Sequence, residues 1–221
     1  TLVEPGALSA LLAAMKERPK LGLAGPLILD ENGAPAVSRF RKRTPFSEFV
    51  EATGLDFFYS RFREHVVPIF EDEADAPDWI SFACVMIRRQ VIDDVGLLDE
   101  NYFMYFEDSA YCLKAAEKGW RGARIDEARV RHFEAKSSGV EDAAATHRRL
   151  PRYYYAARAR YFLDHFGRAG LLAANLFWLL GRAVNYARLL TLKAPKKTAK
   201  NRALDIWTGP DATPPDMVNR P

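Results

Sequence analysis

Residues 79–87 read Trp79-Ile80-Ser81-Phe82-Ala83-Cys84-Val85-Met86-Ile87, with Arg88 and Arg89 behind them. The run is apolar almost throughout, the pattern of a central strand covered on both faces. Upstream, Pro5 to Arg18 reads as a helix, with Pro5 in its first turn and Leu8, Leu11, Leu12 and Met15 on one face. Leu21 to Leu29 reads as a buried strand bending at Gly25-Pro26, and Asp30-Glu31-Asn32-Gly33 as a turn. Downstream, Arg88 to Val95 fits a short helix stopped by Gly96. Ser109 to Lys118 fits a second, with Ala110, Leu113 and Glu117 on one face and Gly119 as its stop. Residues 124–132 read as an edge strand and a loop, and Ser137-Ser138-Gly139 as a turn.

The chain has 221 residues, 48% hydrophobic and 28% charged, enough apolar material for a packed core and too much for global disorder. It opens on Thr1-Leu2-Val3-Glu4-Pro5-Gly6 and reads as part of a longer protein. Two cysteines, Cys84 and Cys112, make neither a disulfide framework nor a zinc ribbon; they read as small core residues in a reducing compartment. Residues 38–70 mix Arg39, Arg41, Lys42 and Arg43 with Phe46, Phe49, Phe57, Phe58, Tyr59 and Phe62, the look of a variable loop with one or two short helices. Residues 71–78 form an acidic connector.

Charge is unevenly spread. Residues 148–202 carry thirteen Lys and Arg against one acidic residue, Asp164. The net charge of +3 therefore splits into +12 there and −9 elsewhere. A basic, aromatic third calls for an anionic partner: a membrane surface, a nucleic acid or an acidic protein. The acidic remainder argues against nucleic acid as the main substrate. Residues 148–166 read as a basic, Tyr-rich helix. Residues 171–190 are apolar but interrupted by Asn175, Arg182, Asn185 and Arg188, so they read as lying in a membrane interface and not spanning one. The Pro-bearing residues 193–221 read as a flexible tail.

The acidic pair Glu107-Asp108 follows the aromatic run Tyr102-Phe103-Met104-Tyr105-Phe106 and precedes a helix. Aromatic surroundings raise a carboxylate's proton affinity, whereas a helix N-terminus stabilises the anion. Such a group can take a proton from an alcohol. It can equally cap the helix, with Glu107 solvated. His132, beside Arg129 and Arg131, has the chemistry to ligate a divalent metal, with the arginines facing phosphate, or to be structural. Trp79 can stack on a sugar ring or fill the core. The aromatics of 46–62 can line an acceptor groove or form the core of a small helical insertion. No Gly-rich phosphate loop, Ser-His-Asp arrangement or Cys/His metal spacing is present.

The order of these motifs resembles family 2 glycosyltransferases, most of all the bacterial rhamnosyltransferase-like members. The likeness lies in residues 79–89, then Val95-Gly96-Leu97-Leu98-Asp99-Glu100, then Phe103-Met104-Tyr105-Phe106-Glu107-Asp108, then His132 and Ser137-Ser138. The resemblance implies an α/β fold: a partial GT-A domain, Rossmann-like with a mostly parallel sheet, followed by a helical basic C-terminal extension. It implies inverting transfer of a sugar from a nucleotide-sugar donor to a hydroxyl, with Asp108 as the base and Glu107 holding acceptor hydroxyls or helping to orient the base. Asp99 and Glu100 would brace that segment, Trp79 would border the acceptor, and His132 would help bind the metal, Mg²⁺ or Mn²⁺, or the donor diphosphate. The acceptor is expected to be a lipid-linked glycan in cell-surface polysaccharide synthesis. The protein is then expected to be cytoplasmic, peripheral on the inner face of the cell membrane, without nucleic acid as partner.

On this reading residues 1–145 are the acceptor-side half of the domain, 146–192 a membrane-associating amphipathic segment and 193–221 the tail. Two departures stand out. Ala110 occupies a position where the family usually has an acid, and the nucleotide-binding half with its Asp-x-Asp metal motif is missing. The chain alone is therefore expected to be inactive. The alternative is a non-catalytic membrane or protein interaction module derived from a glycosyltransferase.

Overall fold

The computed structural model describes residues 1–71, 73–133, 140–191 and 194–211. In chain order the strands are β1 (Leu2–Val3), β2 (Leu21–Leu29), β3 (Arg39–Phe40), β4 (Pro68–Ile69), β5 (Trp79–Ile80), β6 (Met86–Ile87) and β7 (Arg121–Arg131). The helices are α1 (Ala7–Glu17), α2 (Pro45–Thr53), α3 (Asp56–Arg61), α4 (Arg89–Val95), α5 (Glu107–Glu117), α6 (Val140–Ala145), α7 (Arg152–Tyr186) and α8 (Arg202–Asp205). They divide into two compact units. The first comprises residues 1–42, 67–99 and 107–137; the second comprises 43–66, 100–106 and 138–221. The turn expected at Ser137-Ser138-Gly139 lies outside the described residues.

The first unit is built on the parallel pair β2–β7, in a sheet ordered β1-β7-β2-β6. β1 and β6 pair antiparallel, as do the strands of a second sheet, β4-β3-β5. The α/β class holds; the sheet is mixed, with its longest pairing parallel. β2 is buried along nearly its whole length because both faces are covered. Ala7, Leu11, Ala14 and Met15 of α1 pack on Leu21, Ala24, Ile125 and Ala128. Leu23, Ile80, Val91, Tyr111, Cys112 and Ala115 form a separate cluster with α4 and α5. The apolar face of α1 is thus rotated from the one expected: Leu8 and Leu12 are 58% and 47% exposed.

Two readings of the sequence are corrected here. Residues 79–87 are not one central strand. They give β5 in one sheet and β6 at the edge of the other, joined by a half-buried loop in which the Ala83 N–H donates to Ser81 Oγ at 3.2 Å. Uniform apolarity marks burial and does not distinguish a strand from a packed loop. Residues 121–131, in contrast, form one interior strand and not an edge strand with a loop. Pro26 pairs with Ile125 but Leu27 pairs with Arg129, so β7 bulges by three residues and loses the alternation that reveals a strand.

The second unit centres on α2 and α7. Thr44 caps α2 through a reciprocal pair of bonds with Ser47, Pro45 opens the helix, and Gly54 ends it in the left-handed conformation at φ 59°. The helix expected over 148–166 and the apolar stretch after it are one element, α7, broken at Gly167 where φ is 66° and ψ −173°. Gly181 lets the two helices touch, since a Cβ there would lie 2.5 Å from the Phe49 carbonyl oxygen. Phe46, Phe49, Phe58 and Phe62 pack with Val50, Val66, Phe177 and Val184, so most of the 46–62 aromatics are core. Within the expected tail, Ala199 and Ile206 are buried in the same unit as Trp178 and Tyr155, and residues 193 and 212–221 lie outside the described residues.

A buried charge cluster fixes α2 to α7. Glu48 and Arg158 pair at 3.1 Å with side chains 1% exposed each. Arg158 also donates to Asn175 Oδ1 at 2.8 Å, and Arg43 donates to Glu48 at 3.0 Å. Burial opposes ionisation of Glu48, but Arg158, Arg43 and Arg202 outweigh it and hold the carboxyl down to about 2. Its contribution to stability is present above the ordinary glutamate range and is lost as pH falls toward 2. Removing one partner strands the others in the interior. Glu48→Ala is expected to cost about 3–5 kcal/mol in urea unfolding. Asp93→Ala, which breaks the exposed Arg89–Asp93 pair, is expected to cost under about 1 kcal/mol.

Candidate active site

α5 begins two residues earlier than its pattern predicts, so Glu107 and Asp108 occupy its first turn. The two residues before it, Tyr105 and Phe106, have φ of 73° and 68°. Consecutive aromatic residues in the left-handed region are strained. α5 returns through a turn at Gly119 into β7, so its first turn points toward the carboxyl end of the β2–β7 pair, the usual ligand side of such sheets.

The half-buried Asp108 side chain is bound to backbone through its carboxyl. Its Oδ1 accepts the Ser109 N–H at 2.7 Å, and the Phe82 N–H of the loop between β5 and β6 also reaches it. Loss of hydration is the largest influence and disfavours the anion, with the neighbouring Glu107 charge adding to it. The Ser109, Phe82 and Asp108 backbone amides pull the other way without prevailing. The carboxyl is raised to about 7. Glu107 is raised as well by burial, and its Oε2 is buried with no hydrogen-bond partner among the described residues. The pair therefore matches neither a solvated Glu107 nor a simple cap. Its members are two carboxyls of high proton affinity side by side.

The other expected site residues fall as follows. His132 follows the end of β7, toward the same carboxyl end of the strand pair; its N–H donates to the Leu29 carbonyl at 2.8 Å and its Nδ1 lies 3.0 Å from Thr1 Oγ1. No hydrogen bond or ion pair joins it to Glu107 or Asp108 among the described residues. Trp79 stacks on Phe40 with ring centroids 4.0 Å apart, and its indole N–H donates to the Arg41 carbonyl at 3.0 Å. One ring face and its polar tip are thus engaged in packing. Asp99 is half-buried, while Glu100 is exposed and makes no hydrogen bond or ion pair among the described residues. Ala110 is buried, and an acid in its place would face the interior. Cys112, also buried, has its thiol pushed up to about 12 by burial and is inert, as a core residue should be.

Sequence reasoning missed the Phe82 amide, because its segment reads as strand, and the orphaned Glu107 oxygen, which no residue pattern announces. The residues present do not fit a divalent metal centre: no three His, Cys, Asp or Glu side chains converge among the described residues, and the one imidazole expected to serve is beside a threonine hydroxyl.

Fold and site define a class: an α/β protein that presents a carboxyl poised near neutrality at the carboxyl end of a parallel strand pair. The chain belongs to glycosyl transferase family group 2, which it matches over residues 1–194. It is 26% identical over 215 residues to N-acetylglucosaminyl-diphospho-decaprenol L-rhamnosyltransferase of Mycobacterium tuberculosis, in strains CDC 1551 / Oshkosh and ATCC 25618 / H37Rv alike. The alignment covers 93% of this chain and 65% of those relatives, so the chain spans just under two thirds of their length.

The raised carboxyl gives a stability test that needs no substrate. A folded-state value above the unfolded one means that stability falls as pH rises. Below about 4 both states hold the proton; from about 4 to 7 the unfolded chain releases it and the folded chain keeps it; above 7 the loss is complete. Asp108→Asn does not titrate. Its stability relative to the unsubstituted chain should therefore climb across that window, by up to roughly 1.4 kcal/mol per pH unit, and then level off. Denaturant unfolding at a series of pH values checks this, and a difference independent of pH would show an ordinary aspartate.

Proposed function

We propose that this chain is the acceptor-side, base-bearing part of an inverting glycosyltransferase that moves a sugar from a nucleotide donor to a hydroxyl of a lipid-linked glycan in cell-surface polysaccharide synthesis. The observation that carries the reading is the Asp108 carboxyl, held near neutrality by desolvation inside the first turn of α5. A base matched to the working pH combines a useful ionised fraction with a useful proton affinity. The acceptor class is supported by the relatives' name, which places their sugar on a diphospho-decaprenol carrier.

In the proposed step Asp108 takes the proton of the acceptor hydroxyl. The oxygen forms a bond to the anomeric carbon while the carbon–oxygen bond to the nucleotide diphosphate breaks from the opposite face. One displacement inverts the centre, so a single carboxylate suffices. Glu107, whose buried Oε2 has no partner among the described residues, accepts a hydrogen bond from an acceptor hydroxyl and orients it. Trp79 borders the acceptor, and Asp99 and Glu100 lie on the segment leading to the pair. His132 stands at the end of β7, toward the departing diphosphate. The family's Mg²⁺ or Mn²⁺ would neutralise that leaving group, but the ligands described do not make its site, and no step here is routed through it. We place the nucleotide pocket and the main metal ligands in the part of the relatives' length that this chain does not span.

The location that fits this reading is the inner face of the cell membrane, where a lipid-linked acceptor would be presented. No helix among the described residues is long and apolar enough to cross a membrane, so the association proposed is peripheral.

Two outcomes are expected. In the whole protein, Asp108→Asn lowers transfer about 10²- to 10⁴-fold while donor binding, measured by calorimetry, persists. Turnover at the unsubstituted rate would remove Asp108 from the chemistry. The 221-residue chain alone releases no nucleotide from a panel of nucleotide sugars, and measurable transfer by it would overturn the placing of the donor site elsewhere.

A further inference from the structure

The second half of α7 is apolar on its outward face as well as its inward one. Beyond Gly167 its fully buried positions are Ala174, Asn175, Trp178, Gly181 and Asn185, and Phe177, Leu179 and Val184 pack beside them. Its outward face carries Ala169, Leu172, Ala173, Leu176, Leu180 and Ala183, which fall within about a third of a helical turn. The three leucines are 51%, 52% and 53% exposed. No charged residue lies within this stripe. A solvated helix carries polar residues on its outward face, and an exposed apolar strip of this length marks a contact surface.

Charge stands at the start of the stripe. Arg168 lies one turn before Leu172; it is exposed and has no hydrogen bond or ion pair among the described residues. At the break in α7, a cavity of about 190 Å³ is lined by Arg168, Leu171, Leu172, Asn175, Ile206 and Trp207. An apolar cavity of roughly 150 Å³ is large enough to take a benzene-sized group. Leu172 belongs to both cavity and stripe, so the two are continuous.

We infer that this face docks on an anionic lipid bilayer, with the leucines in the acyl boundary and with the cavity taking part of one lipid whose phosphate pairs with Arg168. An exposed, unpaired cation beside an uncharged apolar strip selects a surface that is negative outside and apolar within. A water-facing protein partner would have no use for the strip's continuity with an apolar cavity carrying one cation at its rim. The inference deepens the reading of a lipid-linked acceptor, but its test uses no sugar transfer, so either can fail without the other.

The test is sedimentation of the 221-residue chain with phosphatidylglycerol vesicles and with phosphatidylcholine vesicles. Binding is expected to the first only, weakening with added salt. Leu176→Glu with Leu180→Glu, both at exposed positions, should lower it at least tenfold with the circular dichroism unchanged. Arg168→Glu should lower it several-fold, since each basic group near an anionic surface contributes about fivefold. Brominated lipid should quench the fluorescence of the native chain, and Trp207→Phe should remove most of that quenching. Equal binding to neutral vesicles, or binding that the leucine substitutions leave untouched, would overturn the proposal. So would a concentration-dependent dimer abolished by the same substitutions, because the strip would then belong to a second copy of the chain.

Discussion

Asp108 sits where two opposing influences on a carboxyl group meet. The first turn of a helix offers backbone N–H groups and the positive end of a dipole, which together favour the anion. Removal from water disfavours it, and here that influence is the larger. The outcome depends on what shuts out the water: the loop of residues 81–85, whose Phe82 amide faces the carboxyl, and the packing of Tyr111, Cys112 and Ala115 on Leu23 and Ile80. β2 and β7 set the floor on which α5 rests. A cap aspartate open to solvent, with the same neighbours in sequence, would remain an ordinary acid and a weak base.

Some of this was legible beforehand and some was not. The pair Glu107-Asp108 could be found because two acids in succession between an aromatic run and a helical pattern are conspicuous. Gly33, Gly96 and Gly119 could be found because left-handed backbone, with φ of 83°, 90° and 83°, favours glycine. The strands were harder. Residues 79–87 are apolar because they surround α5, and residues 121–131 lost their alternation to a bulge of three residues. In both places tertiary packing set the pattern and local propensity did not. The helix face of α1 slipped by one position for a smaller reason: Ala7 and Ala14 are small enough to face the sheet closely, and Leu8 and Leu12 were left outside.

The second unit shows the same limit from the other side. Glu48 and Arg158 are 110 residues apart in sequence, and nothing local to either indicates that both are buried. Each alone would be costly in the interior; together, with Arg43, Arg202 and Asn175 supplying the remaining contacts, they are tolerable. Such a cluster specifies one docking of α2 on α7, because a slipped register would leave a charge unpaired. Gly181 enforces the same register sterically, as any side chain there meets the backbone of α2.

The strained residues Tyr105 and Phe106 connect stability to chemistry. Each left-handed aromatic residue costs on the order of 1–3 kcal/mol and persists only where its surroundings hold it. The rings supply that hold within the second unit: Tyr105 and Phe106 each lie 5.6 Å from Tyr154, and Phe106 lies 5.5 Å from Tyr161. Tyr161 in turn donates to the Arg43 carbonyl at 2.9 Å, beside the buried charge cluster. The chain passes directly from these two residues into Glu107 and Asp108, which are themselves desolvated. Two kinds of unfavourable local structure are thus placed end to end, each maintained by packing that is favourable elsewhere. A sequence selected for stability alone would relax both, with a glycine before the helix and an asparagine in its first turn.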